Sequence, residues 1–133
     1  MKPGLIGLRH AALYVRDINK SLTFYREVMG LRLEWQPDSE NAYLTSGTDN
    51  LALHQLSSGT EPGDVQLLGH IGFAVPTRED VDAWADKLRE MGIDVAKAPE
   101  THRDGARSFY FCDPDGILIQ VIHHVPISDI VGQ

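Results

Sequence analysis

The segment L-R-H-A-A-L-Y-V at residues 8–15 is matched, sixty residues later, by L-G-H-I-G-F-A-V at residues 68–75. Each segment is a short apolar run with a histidine at its third position, and a stretch of helical periodicity follows it. A second match, between M-G-L-R-L at 29–33 and M-G-I-D-V at 91–95, keeps nearly the same offset. The chain is therefore predicted to contain an internal repeat.

A third match sets the extent of the repeat. D-N-L-A-L-H at 49–54 aligns with D-G-I-L-I-Q at 115–120, at an offset of 66. The slowly growing offset indicates a few inserted residues in the second copy. We predict two modules, at 8–57 and 68–125, within a single domain that spans residues 1–133.

Each module has the same order of elements. An opening strand is followed by an amphipathic helix and then by three strand-like runs. Asp17 is placed to cap the first helix, while Thr77 and Asp80 form a capping box before the second. Gly30 and Gly92 stand where C-terminal cap glycines belong. Because a module of about 60 residues buries little surface alone, we predict an α+β fold of two paired βαβββ modules.

Composition and charge narrow the class of protein. The 133 residues carry a net charge of −7, which disfavours nucleic-acid binding. No apolar run reaches the roughly 18 residues of a membrane span, so no membrane partner is expected. The single cysteine, Cys112, predicts a cytoplasmic protein without disulfides, and we expect its thiol to be packed as apolar filler.

The repeat selects a candidate metal site. Its alignment pairs His10 with His70 and His54 with Gln120. Matched strand positions face matched ways, so these four side chains converge if the sheets enclose a cavity. Three imidazoles and an amide oxygen suit a divalent first-row metal. Alternatively, Gln120 hydrogen-bonds a histidine, and a single strand histidine is often only structural.

The motifs of the chain resemble those of the vicinal oxygen chelate superfamily, which includes glyoxalases, bleomycin-resistance proteins and extradiol dioxygenases. They are H-A-A-L-Y-V-R-D at 10–17, F-Y-R-E-V-M-G-L at 24–31, G-H-I-G-F-A-V at 69–75 and F-C-D-P-D-G at 111–116. The resemblance implies the glyoxalase/bleomycin resistance/dihydroxybiphenyl dioxygenase fold, with a cleft-shaped mixed sheet. It also implies a divalent metal held at His10, His54, His70 and Gln120, with a small oxygenated substrate chelated to it.

Two departures from the family pattern affect the expected chemistry. The family commonly has glutamate where this chain has Gln120 and His54. Without those carboxylates, a glyoxalase I reaction is disfavoured unless His54 replaces the base, and the two-histidine, one-carboxylate iron triad of extradiol dioxygenases is broken. A neutral ligand set favours Fe, Ni, Mn or Zn over Mg or Ca.

Other polar residues are candidates for catalysis and substrate binding. His54 or His102 is predicted to move a proton. Tyr110 either faces the cleft as a phenolic acid or packs against a helix. Arg103 and Arg107 either bind an anionic group of the substrate or belong to an ordinary surface loop. Trp35 and Tyr43 either line the pocket or sit in the core.

Two functions follow from these features. The first is a divalent-metal-dependent enzyme, a lyase, isomerase or ring-cleaving dioxygenase. The second is a metal-free protein of the bleomycin-resistance type that sequesters an antibiotic or another aromatic molecule. The three retained histidines favour the enzyme. A homodimer is expected in both cases, because a single chain leaves sheet edges open and family members often complete the cleft across a two-fold axis.

Overall fold

Two compact units make up the chain, and they confirm the predicted pair of βαβββ modules. The computed structural model describes residue 4 and residues 8–61 and 68–128. Unit 1 comprises residues 1–62, and unit 2 comprises residues 63–133. Each unit contains one four-stranded mixed sheet.

Unit 1 follows the predicted element order. It contains β1 (His10–Val15), α1 (Ile18–Thr23), a π-helical turn (Phe24–Val28), β2 (Arg32–Asp38), β3 (Asn41–Thr45) and β4 (Asn50–Gln55). The strand order is β1-β4-β3-β2. β1 runs parallel to β4, and the other neighbours are antiparallel. The helix thus connects two strands that are separated in the sheet.

Unit 2 repeats this topology. It contains β5 (Ile71–Ala74), α2 (Arg78–Glu90), β6 (Val95–Thr101), β7 (Arg107–Cys112), β8 (Leu118–His123) and a short α3 (Val125–Ser128). The strand order is β5-β8-β7-β6, with β5 parallel to β8. Among the described helices, none is long and apolar enough to cross a membrane.

The helix of each unit covers one face of that unit's sheet. In β1, Leu13 and Val15 are buried, while His10 and Tyr14, at alternate positions of the strand, point to the opposite face. The apolar stripe predicted for the first helix is buried throughout, at Ile18, Leu22, Tyr25 and Met29. In unit 2 the buried residues are Val81, Ala85 and Leu88 of α2, with Phe109, Phe111, Ile119 and Val121 of the sheet.

The predicted caps are confirmed. The Asp17 carboxylate accepts the backbone N–H groups of Asn19 and Lys20. Thr77 and Asp80 exchange side-chain and backbone hydrogen bonds as a complete capping box. Gly30 and Gly92 have φ angles of +77° and +78°, in the left-handed region that glycine adopts without strain. The signals that begin and end the helices are therefore local.

The expectation that Cys112 is packed as apolar filler needs correction, and two apolar residues at α2 are not fully buried. Cys112 is exposed, because it falls on the face of β7 that α2 does not cover. Met91 is 47% exposed, because the helix ends before it and the buried stripe stops there. Trp84 is only partly buried, and the Lys87 ammonium lies 4.4 Å from its ring centroid.

Candidate functional site

The sheet of unit 1 has a polar face opposite α1, which we call the open face of unit 1. On β1 it presents His10 and Tyr14, and on β4 it presents Asn50 and His54. The parallel register sets His10 beside Asn50 and Tyr14 beside His54. The two histidines are thus anchored four residues apart along the strands, or about 13 Å.

A carboxylate and an amide orient His10. Its Nδ1 lies 2.7 Å from Asn50 Oδ1, and Asn50 Nδ2 donates to Glu34 Oε1 at 2.8 Å. Because Glu34 engages the amide nitrogen, the Asn50 oxygen faces the imidazole and accepts its proton. In neutral His10 the hydrogen is therefore on Nδ1 and the lone pair on Nε2, the form in which histidine binds metals.

A second chain of the same kind orients His54. Its Nδ1 donates to Asn41 Oδ1 at 2.7 Å, and Asn41 Nδ2 donates to Asp38 at 2.9 Å and 3.2 Å. The backbone N–H of Glu40 and then the Asn41 amide hold the pKa of Asp38 below its ordinary value. Asp38 thus stays an acceptor, and in neutral His54 the lone pair is likewise on Nε2.

Aromatic rings surround His54 on the same face. The Tyr14 ring centroid is 5.7 Å from that of His54, and the Tyr43 centroid is 6.0 Å from it. Trp35 stacks on Tyr43 at 5.1 Å. Trp35 is 60% exposed and Tyr14 is 68% exposed, so these rings are not core residues. Of the two alternatives for Trp35 and Tyr43, the structure places both on the open face.

Unit 2 brings His70, Tyr110 and Gln120 together on the sheet face opposite α2. The rings of His70 and Tyr110 meet edge to face at 5.3 Å, and Gln120 Nε2 donates to the Tyr110 hydroxyl at 3.0 Å. Gln120 Oε1 lies 3.4 Å from where a Cβ on Gly72 would stand. The amide oxygen is therefore directed over β5, the strand that His70 precedes, and the missing side chain at Gly72 leaves it space.

The strand register corrects one pairing of the internal repeat. Gly72, two residues after His70, lies opposite Gln120. Ala12, two residues after His10, lies opposite Ala52. Tyr43 lies opposite Ala52 just as Tyr110 lies opposite Gln120, which gives the same correspondence. Ala52 is thus the structural counterpart of Gln120, and the predicted pairing of His54 with Gln120 is wrong by two residues.

Turn chemistry explains this slip. In the turn between β3 and β4, the aspartate that accepts a backbone hydrogen bond is the last residue: Asp49 Oδ1 accepts the Ser46 N–H at 2.7 Å. In the turn between β7 and β8, the corresponding aspartate is the first residue: Asp113 Oδ1 accepts the N–H groups of Asp115 and Ile117. Matching Asp49 to Asp115 by residue type therefore aligned the last residue of one turn with the middle of the other.

The loop before β7 fits its predicted role only in part. His102 Nε2 lies 3.0 Å from Ser108 Oγ, so that ring nitrogen is already engaged. Arg103 is exposed in this loop. Arg107 instead binds Asp82 of α2 through two hydrogen bonds of 3.0 Å and 2.7 Å. This pair lowers the pKa of Asp82 and raises that of Arg107. Of the two roles left open for Arg107, this ion pair favours the structural one, because its guanidinium binds the helix.

The motifs of the chain did not identify the residues that orient the histidines. They are Glu34, Asp38, Asn41 and Asn50. One signal was present, because Asn50 and His54 are in phase on one strand and therefore share a face. Within the described ranges, no group of three or more His, Cys, Asp or Glu residues is arranged to hold a metal ion.

Comparison with known proteins identifies the family. The model of the Glyoxalase/Bleomycin resistance protein/Dioxygenase superfamily matches residues 7–121. Glutathione transferase FosA of Serratia marcescens is 34% identical over 118 residues, which are 88% of this chain and 80% of that protein. Metallothiol transferase FosB of Bacillus licheniformis is 29% identical over 113 residues, 84% of this chain and 71% of that protein. A lactoylglutathione lyase structure from Agrobacterium tumefaciens has a TM-score of 0.77 at 24% identity, covering 95% of this chain and 98% of that one. The chain therefore belongs to the glyoxalase/bleomycin resistance protein/dioxygenase superfamily.

Proposed function

We propose that this protein is a divalent-metal-dependent enzyme acting on a small oxygenated substrate, and that His10, His70 and Gln120 bind the metal. The observation that carries the proposal is the Glu34–Asn50–His10 chain. Metal-binding histidines commonly donate their second ring nitrogen to an outer partner that fixes tautomer and direction. His10 has such a partner, and its Nε2 is the atom left for a metal.

The donor set fits a borderline first-row cation. Two imidazole nitrogens and one amide oxygen are neutral, which suits Fe, Ni, Mn or Zn and disfavours hard cations such as Mg²⁺. Gln120 offers its oxygen because Tyr110 engages its nitrogen. We leave His54 outside the set, because its strand position is about 13 Å along the sheet from His10.

The residues of the chain have separate tasks in this proposal. A bound divalent metal supplies a Lewis acid that polarises an oxygen of the substrate. Asn50 and Tyr110 hold His10 and Gln120 in one orientation each, so little side-chain freedom is lost on binding. For a substrate long enough to reach from His10 to His54 along the sheet, His54 Nε2 accepts a proton, since Nδ1 is the ring nitrogen that binds Asn41, whereas His102 Nε2 contacts Ser108.

The names of the relatives suggest which reaction class to test first. FosA is named as a glutathione transferase and FosB as a metallothiol transferase. We therefore propose group transfer with a thiol as one reactant, ahead of the lyase, isomerase and dioxygenase reactions. The missing carboxylate at Gln120 supports this order, because it removes a metal-bound base.

Metal content per chain tests the proposal directly. Untagged protein, prepared without a metal-affinity column, is analysed by elemental mass spectrometry beside His10→Ala, His70→Ala and the matched control His54→Ala. We expect near-stoichiometric metal in the wild type and in His54→Ala, and none in the other two. If His54→Ala loses the metal as well, the ligand set is wrong. If no variant binds Fe, Ni, Mn or Zn after reconstitution, the enzyme proposal fails and metal-free binding replaces it.

A mixing experiment locates the site within the proposed homodimer. His10→Ala and His70→Ala protomers are combined by unfolding and refolding, and the metal is measured again. If the ligands come from two copies, each mixed dimer regains one intact site, and roughly a quarter of the wild-type metal returns. If they come from one copy, no metal returns.

A further inference from the structure

We propose that the open face of unit 1 binds a flat, neutral aromatic molecule that carries a hydrogen-bond donor. Tyr14, Tyr43 and Trp35 contact the ring, and His54 Nε2 accepts the donor. This inference extends the proposed role of His54 by naming a substrate class, and it does not require the metal. Phenols are the simplest molecules of this class.

The first support is a continuous aromatic strip. Its four rings stand on four neighbouring strands in the order of the sheet, namely Tyr14 on β1, His54 on β4, Tyr43 on β3 and Trp35 on β2. Successive ring centroids are 5.7, 6.0 and 5.1 Å apart. The rings at both ends are mostly exposed. Such an exposed patch is typical of a binding surface, since aromatic faces favour stacking with other rings.

The second support is the fixed polarity of His54. Asn41 takes the proton on Nδ1, and Asp38 prevents the Asn41 amide from turning round. The strip therefore offers one strong acceptor, Nε2, at its centre. A ligand with an O–H or N–H group at the edge of its ring satisfies that acceptor, whereas a ligand with only acceptor atoms leaves it unpaired.

The third support is the charge beside the strip. The Asp38 carboxylate is joined to His54 through Asn41, and it is ionised at neutral pH as an ordinary aspartate is. Glu34 adds a second carboxylate to the hydrogen-bond chains of this face. Negative charge disfavours anionic ligands, so a neutral phenol is preferred over a carboxylate-bearing ring.

An NMR titration of the 133-residue chain measures ligand binding at the strip through the indole signal of Trp35. The chain has two tryptophans, so a ¹H–¹⁵N spectrum shows two indole signals, and Trp84→Phe assigns them. Protein treated with EDTA is titrated with 2-naphthol, with 2-methoxynaphthalene, which lacks the donor, and with decahydro-2-naphthol, which lacks the aromatic ring. We expect a saturable shift of the Trp35 signal with 2-naphthol. The methoxy compound should bind about threefold to tenfold more weakly, and the decahydro compound should not saturate.

Two variants separate the ring contacts from the hydrogen bond. His54→Phe keeps an aromatic ring but removes the acceptor, so it should reduce 2-naphthol binding to the level of the methoxy compound. Tyr14→Ala should weaken both naphthalenes. Trp84→Phe, which lies on α2, should change neither.

Several results would overturn the inference. Equal affinity for the two naphthalenes, or a preference that survives His54→Phe, excludes the hydrogen bond. If the Trp35 signal does not shift, the open face of unit 1 is not the binding surface. This holds whether the ligand binds elsewhere or a second copy covers the strip. The titration uses metal-free protein, so its result does not depend on the proposed metal ligands. Likewise, a negative titration does not contradict the proposed metal ligands.

Discussion

Units 1 and 2 share one topology but differ in what their open sheet faces carry. In unit 1, two asparagines connect His10 and His54 to carboxylates, and aromatic rings cover the rest of the face. In unit 2, His70 and Gln120 meet through Tyr110, and no described carboxylate hydrogen-bonds to either of them. The helix-covered faces are similar, since both are apolar and buried.

The comparison shows which face of a duplicated sheet is free to diverge. A position under the helix must stay apolar, because burying an unpaired polar group costs more than the contact returns. A position on the open face has no such restriction. Ala52 and Gln120 occupy equivalent places in the two units, yet one is a small apolar residue and the other a candidate ligand.

The largest effect is expected from truncating the helix-covered face. Leu53→Ala in unit 1 and Phe111→Ala in unit 2 each remove a fully buried side chain. Each should lower the free energy of unfolding by about 2–5 kcal/mol. Tyr14→Ala on the open face is the control and should cost less than about 1 kcal/mol. Urea unfolding measures all three, and a Tyr14→Ala cost equal to that of Leu53→Ala would show that the open face is packed.

The next effect distinguishes the two histidine chains of unit 1. Asn50→Ala removes the partner of His10 Nδ1, and we expect roughly a 10- to 100-fold loss of metal affinity. Asn41→Ala removes the equivalent partner of His54 and should leave metal affinity unchanged. Competition with a chromophoric chelator gives both values. Equal losses in the two variants would contradict the assignment of His10 alone.

A smaller gain is expected from restoring the family carboxylate in unit 2. Gln120→Glu adds a charged ligand, and it should tighten metal binding by roughly tenfold. Tyr110 can donate to the new carboxylate, so the side chain keeps its partner. Gln120→Leu, which is similar in size, should weaken binding. The same chelator competition applies, and loss of metal in a folded Gln120→Glu protein would refute the proposed coordination.

The smallest effect concerns the ion pair that joins α2 to β7. Arg107 holds the pKa of Asp82 below its ordinary value of 3.8. A lowered carboxyl pKa stabilises the fold above that value, and the stabilisation is lost as pH falls through the folded-state pKa. The Asp82 side chain is 48% exposed, so Asp82→Asn should cost under about 1 kcal/mol at pH 7. Urea midpoints of wild type and variant should converge in acid, and a constant difference would contradict the pairing.

Much of the fold was predictable because its signals are local. The caps at Asp17 and Thr77, the glycines at 30 and 92 and the helical stripe of unit 1 each act within a few residues. The equivalent positions of His10 and His70 in the two modules were equally accessible, since each histidine stands at the start of a similar apolar run. The geometry of the turns was harder to predict from the sequence, because Asp49 accepts its hydrogen bond at the end of one turn and Asp113 at the beginning of the other.

The sequence by itself determined the repeat, the order of elements and the family, and it selected His10, His54, His70 and Gln120 as a group to examine. Only the tertiary structure decided that Ala52 matches Gln120, that Arg107 serves α2 and that Asn41 and Asn50 fix two histidine tautomers. The physical reason is the distance along the chain over which each interaction acts. Caps and amphipathic stripes depend on neighbours along the chain, whereas strand register and side-chain hydrogen bonds join residues up to forty positions apart, as His10 and Asn50 are.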